Sequence, residues 1–239
     1  MKGLEMKRAQ FLRYVGATLS ATALAPVITA CGGGGDTASA TPVDTVATPV
    51  ATAVSTPVST QSAVATTLSA EEIAGLKFMR EEEKLAHDVY VALFDLWGAN
   101  VFSQIALSET THTETILALL TKYGIADPAA GKAPGVFEDA ALQTLYNTLI
   151  TMGQPSLIEA LKVGALIEET DIHDIDVRKA ITDEADILQV YTSLLCGSRN
   201  HLRAFNGQLL NRGVTYVPQV ITQAEWDAIA SAASESCGS

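Results

Sequence analysis

Cysteine is scarce in this chain: three occur in 239 residues. Cys31 falls in an amino-terminal segment of its own character, which leaves Cys196 and Cys237. Two cysteines are no disulfide framework, although they could pair in an oxidising compartment; Cys237 lies in the tail and could equally stay free. Basic residues are also short, 15 against 27 acidic for a formal charge of −12. Recognition of a phosphate backbone needs basic patches, so nucleic-acid partners are excluded. Convincing period-two alternation is missing throughout, which removes sheets and leaves an all-α fold.

The longest apolar run near the start, Tyr14 to Ala30, is short for a membrane-spanning helix, which needs roughly 20 residues. It follows the basic stretch Lys7-Arg8-Ala9-Gln10-Phe11-Leu12-Arg13 and ends in small residues, the form of an export signal. Met6 is an alternative start. Ile28-Thr29-Ala30-Cys31 resembles the bacterial lipobox. That resemblance implies that Cys31 is lipidated and becomes the mature amino terminus, holding the protein to the cell envelope. The segment from Lys7 also resembles a twin-arginine signal, with Lys7 in place of the first arginine. An uncleaved anchor helix or a plain secretory signal are the alternatives.

Residues 32–67 have almost no charge, no aromatic residue and no helical period. Thr41-Pro42-Val43, Thr48-Pro49-Val50 and Thr56-Pro57-Val58 repeat one theme. Such a segment cannot bury a core and reads as a disordered, proline-extended spacer. Residues 68–239 are about the size of one ordinary domain.

Within the domain the apolar residues recur at steps of three and four, the stripe of helices facing a bundle core. Ser69 with Glu72 predicts a capping box, followed by a helix with Leu76, Met79, Ala86, Tyr90, Leu93 and Trp97 inward. Glu83 falls on that stripe, whereas Glu81 and Glu82 fall off it and are expected at the surface. Phe102, Ile105, Ile116, Leu119 and Tyr123 form the next stripe, with Glu109 and His112 at its centre. A shorter helix is expected over Phe137–Met152. A third long helix carries Ile158, Leu161, Ala165, Ile172 and Ile175, with Glu168 in phase. Its end, Asp171, His173, Asp174 and Asp176, is expected to be exposed. The fourth long helix carries Ile187, Tyr191, Leu194 and Phe205, with Ser198 and His201 between. A last amphipathic segment, Ile221–Ala233, is expected to pack across the bundle.

Glu83, Glu109, His112, Glu168 and His201 are therefore polar residues at core positions on four helices. Burying such a group is costly unless it is paired or bound to a metal. Oxygen and imidazole donors suit iron or manganese, and with no cysteine nearby a structural zinc site is not suggested. Glu-x-x-His on a bundle helix is also the di-iron carboxylate arrangement.

The set resembles the ferritin-like di-iron carboxylate superfamily over roughly Ser69–Arg212. Glu83 through Tyr90 is similar to the first-helix Glu and later Tyr of rubrerythrin-type members. Met79–Ala86, Ser108-Glu109 with His112, Ile167–Glu169 with Asp171-Ile172, and Gly197–Leu202 are more closely similar to an uncharacterised prokaryotic family assigned to the same group. The resemblance implies a ferritin-like four-helix bundle binding one or two iron ions, or manganese, with dioxygen or peroxide chemistry. Glu83, Glu109, His112, Glu168 and His201 would be the ligands. Where that superfamily has a second Glu-x-x-His, this chain has Ser198 three residues before His201. Asp171, Glu169 or His87 could supply the missing ligand, or the site holds one metal. Tyr90 and Tyr191 are core aromatics or partners of the ligands. Expected partners are metal ions, a membrane through the lipid and, as an open alternative, further copies of the chain. The competing readings are a non-enzymatic metal- or partner-binding module and a structural bundle in which Lys84 or Arg199 pairs with the glutamates.

Overall fold

Ser69 opens the first helix with the predicted capping box. Its Oγ accepts from the Glu72 amide at 3.1 Å, and its own amide donates to Glu72 Oε2 at 2.8 Å, satisfying amides that have no partner inside the helix. The computed structural model describes residues 68–237; the proposed signal, Cys31 and the linker lie outside the described residues. Helix α1 spans Ala70–Trp97. Gly98 ends it at φ 64°, a left-handed conformation that glycine adopts without strain. Helix α2, Asn100–Lys122, follows at once, so the two form an antiparallel hairpin.

The long connection that follows carries α3, Ala140–Gly153. It starts three residues later than expected, because Asp139 accepts from the amides of Ala141 and Leu142 and so caps the helix there. Helix α4 spans Leu157–Lys179 with Ser156 as its cap, α5 spans Ala185–Leu210, and the short α6 spans Gln223–Ser231. Among the described residues every regular element is helical. The fold is an all-α helical bundle.

The α1–α2 hairpin packs on the α4–α5 hairpin, α1 against α4 and α2 against α5. Helix α3 touches α1 and α4, and α6 lies on α5, where Trp226 is buried beside Tyr216. Leu76, Met79, Ile116, Leu161 and Ile175 fill the shared core. Tyr90, Phe102 and Phe205 meet within it, with Phe205 5.3 Å from Tyr90 and 5.6 Å from Phe102 between ring centroids. No described helix is long and apolar enough to cross a membrane.

Several expectations about exposure are corrected. Glu81 and Glu82 are buried, not at the surface. Glu81 accepts from the amides of Glu138 and Asp139 at 2.5 and 2.9 Å, holding the segment before α3 on α1. Asp171 and Asp174 are buried as well. Cys196 and Cys237 are joined by a disulfide, with their Cα atoms 5.6 Å apart.

Candidate metal centre

Glu83 comes from α1, Glu109 and His112 from α2, Glu168 from α4 and His201 from α5. All five are buried, at 1–8 % exposure. Their ligand atoms fall into two triads, Glu83–Glu109–His112 and Glu109–Glu168–His201, in each of which the atoms lie within 4.8 Å of one another. Glu109 belongs to both. One of its oxygens lies 2.8 Å from His112 Nδ1 and the other 2.8 Å from His201 Nδ1. The outer carboxylates complete the pattern: Glu83 Oε2 is 3.2 Å from His112 Nδ1, and Glu168 Oε2 is 3.4 Å from His201 Nδ1. The two imidazoles face each other with centroids 5.6 Å apart.

The electrostatics follow from this sharing. Burial pushes the Glu109 carboxyl up, but the two imidazoles against it outweigh burial and hold it well below its ordinary range. Burial opposes charge on His201, yet Glu109 and Glu168 raise its pKa to about 10. Glu109 and Glu83 likewise hold His112 well above its ordinary value against burial. Glu83 has less compensation, and burial lifts it to about 7. Glu168 is also raised by burial. Without a cation, the centre is a proton-loaded cluster.

The donors present fit a metal ion. Glu83 Oε1 and His201 Nδ1 are buried with no hydrogen-bond partner; the close Glu109 oxygen lies off the direction in which an imidazole N–H would donate. Buried polar atoms are seldom left so. Oxygen and imidazole ligands with no thiolate suit iron or manganese.

The other candidates sort clearly. His87 Nδ1 sits 3.0 Å from Asp88, and His173 Nδ1 2.9 Å from Asp174. Glu169 is committed elsewhere, accepting from Tyr216 Oη at 2.6 Å and from the amides of Gln219, Val220 and Ile221. Lys84 pairs with Asp88 and Arg199 with Glu235, so neither neutralises the central glutamates. Ser198 is fully buried, and its hydroxyl donates to Asp171 Oδ2. Tyr90 donates to Glu168 Oε1 at 2.5 Å, leaving Oε2 towards His201. Burial beside Glu168 holds the phenol well above its ordinary pKa, so it remains the donor.

The profile of a family described as "Uncharacterized protein domain (DUF2202)" matches residues 72–233 and takes in every residue of the centre. The chain belongs to this family. This DUF2202 chain is similar to an uncharacterized protein of Methanocaldococcus jannaschii, MJ0754, at 46 % identity over 168 residues, covering 70 % of this chain and 91 % of that protein. The crystal structure titled as hypothetical protein MJ0754 from Methanococcus jannaschii superposes with a TM-score of 0.69, covering 70 % of this chain and 96 % of the other.

In this DUF2202 domain one neighbour of the centre, Gly197, escaped the stripe reading, and another, Asp171, stood only as a possible ligand on a helix end expected to be exposed. Asp171 is three residues after Glu168, the same spacing that joins Glu109 to His112. Gly197 interrupts a helix interior, where glycine is about 1 kcal/mol less favourable than alanine. That unfavourable choice was the available signal: a Cβ there would stand 2.6 Å from His112 Nε2.

Proposed function

We propose that this is an envelope-anchored, ferritin-like protein whose bundle binds one or two iron ions, manganese being the alternative, and supports oxygen- or peroxide-dependent redox chemistry. The observation that carries the reading is Glu109, buried between two imidazoles, each with its own second carboxylate. Four helices converge on that arrangement, as the ferritin-like resemblance implies. For export the support is the lipobox-like Ile28–Cys31 and the Cys196–Cys237 disulfide, which suits an oxidising compartment.

Bound iron would supply one-electron redox chemistry and a position open to dioxygen or peroxide. The chain's own residues hold and shield that place. Glu83, Glu109, His112, Glu168 and His201 would be the ligands. Tyr90 fixes the orientation of Glu168 through its hydroxyl, as outer-shell partners of ligands do. Tyr90 is itself packed against Phe102 and Phe205, and Glu168 beside it is buried.

Ser198 favours a second reading, a binding module without turnover, because a hydroxyl stands where the superfamily has a further glutamate. One experiment separates them. The purified chain is analysed for bound metal and then followed by absorbance as ferrous iron and oxygen are added. Bound iron with oxygen or peroxide consumption supports the redox reading, and bound iron without consumption supports the module. Metal content unchanged by Glu109→Ala or His201→Ala removes this centre as the site.

A further inference from the structure

Ser198 and Asp171 are in contact between the helices that carry His201 and Glu168, outside the two ligand triads. Ser198 precedes His201 by three residues on α5, as Glu109 precedes His112 on α2, so its side chain occupies the face directed at the centre. It is short, and Asp171 of α4 reaches it: the Ser198 hydroxyl donates to Asp171 Oδ2. Asp171 lies one turn beyond Glu168 on the same face of α4. It is 4 % exposed, and its other oxygen, Oδ1, is buried with no hydrogen-bond partner. The charged side chains that bear on it most are the acids Glu83, Glu82 and Glu168. A buried carboxyl with one oxygen unpartnered among acids is relieved by a proton or by a cation, and only the cation serves the neighbouring acids as well.

We propose that Asp171 is a metal ligand of this centre, supplying through Oδ1 the carboxylate that α5 lacks at Ser198, while Ser198 positions it through Oδ2. This rests on the metal-binding reading above. The charges then balance. Glu83, Glu109, Glu168 and Asp171 carry four negative charges when ionised, which two divalent cations neutralise with His112 and His201 as neutral ligands. The missing second Glu-x-x-His is thus replaced across the helix interface, and the centre is a two-metal site with one carboxylate moved from α5 to α4.

The test has two arms on the full chain. In the first, wild type and Asp171→Asn are titrated anaerobically with ferrous iron, reading stoichiometry and affinity. Two ions per wild-type chain are expected. In Asp171→Asn the second is weakened at least about tenfold, the lower end of what even indirect partners of a ligand contribute, with no fall in the thermal midpoint of the metal-free protein. Two ions bound to Asp171→Asn with wild-type affinity overturn the inference and leave the metal reading standing. No iron on the wild type overturns both. In the second arm, which needs no variant, wild-type crystals are loaded with manganese. Anomalous density within about 2.0–2.6 Å of Asp171 Oδ1, the range of hard-cation oxygen bonds, supports it. Manganese bound only out of reach of Asp171 overturns it.

Discussion

The Nε2 edge of His112 rests against Gly197, where a Cβ would stand 2.6 Å from Nε2 and 2.7 Å from Cε1. The backbone of α5 thus backs the ring and leaves Nδ1 turned towards Glu83 and Glu109.

Gly197→Ala sets two effects against each other. Alanine in a helix interior gains up to about 1 kcal/mol, whereas overpacking a filled core costs typically about 1–3 kcal/mol. The ring cannot retreat without leaving its two carboxylates, so overpacking wins. The variant should unfold at lower denaturant concentration, and it should bind metal more weakly. Urea unfolding and metal titration check both.

Glu109→Gln keeps the shape and removes the charge common to both imidazoles. Both histidines then lose their principal counter-charge. Their pKa values should fall, His201 from about 10, and metal should be lost from both halves rather than one. Imidazole NMR titration and metal analysis read these outcomes separately.

The pH dependence of the metal-free protein has a definite sign. His201 rises from 6.5 to about 10 and Glu83 from 4.5 to about 7 on folding. The folded state therefore holds protons that the unfolded chain has released. The His201 contribution is fully present below pH 6.5 and is lost as pH rises through about 10; Glu83 adds the same sign between 4.5 and about 7. Thermal midpoints in chelator should fall from pH 6 to pH 10. The increment produced by a fixed cation concentration should grow over the same range, because the ligands must shed protons to bind.

Tyr90→Phe deletes one hydroxyl, 2.5 Å from Glu168 Oε1. Leaving a buried acceptor without its donor costs about 1–3 kcal/mol, so chemical denaturation should show a loss of that order. Calorimetric titration should show metal affinity lowered about 10–100-fold, as for outer-shell partners elsewhere.

Cys237→Ser opens a cross-link between residues 41 apart. Loop entropy for that length corresponds to about 4 kcal/mol of stability. The salt bridges from Arg199 and Arg203 to Glu235 remain to hold the tail in the folded state, so the loss measured by denaturation should approach that figure.

The five central residues were legible because each interrupts an apolar stripe in phase, and periodicity alone reports that. The acids beside them were not, for a physical reason. A stripe argument assumes a helix with one buried face, but α1 and α4 are covered on more than one side. Glu169 stands in sequence only as a possible ligand beside Glu168, and residues 216–221, far along the chain, bring a tyrosine and several backbone amides to it instead. Glu81 is buried for the same reason, by amides preceding α3. Backbone donors have no residue identity, so composition cannot announce them. Asp171 differed again: its partner is Ser198, a residue noticed for what it is not. The capping box at Ser69 was readable because it is entirely local.

Glu109 gives one oxygen to each histidine, and this has a consequence for how the centre fills. If the centre takes cations as proposed, one drawing on either Glu109 oxygen would withdraw charge from the whole carboxylate and weaken its hold on both imidazoles. Occupancy of the two halves would then be coupled through that one carboxylate. Two separate pockets would show no such coupling.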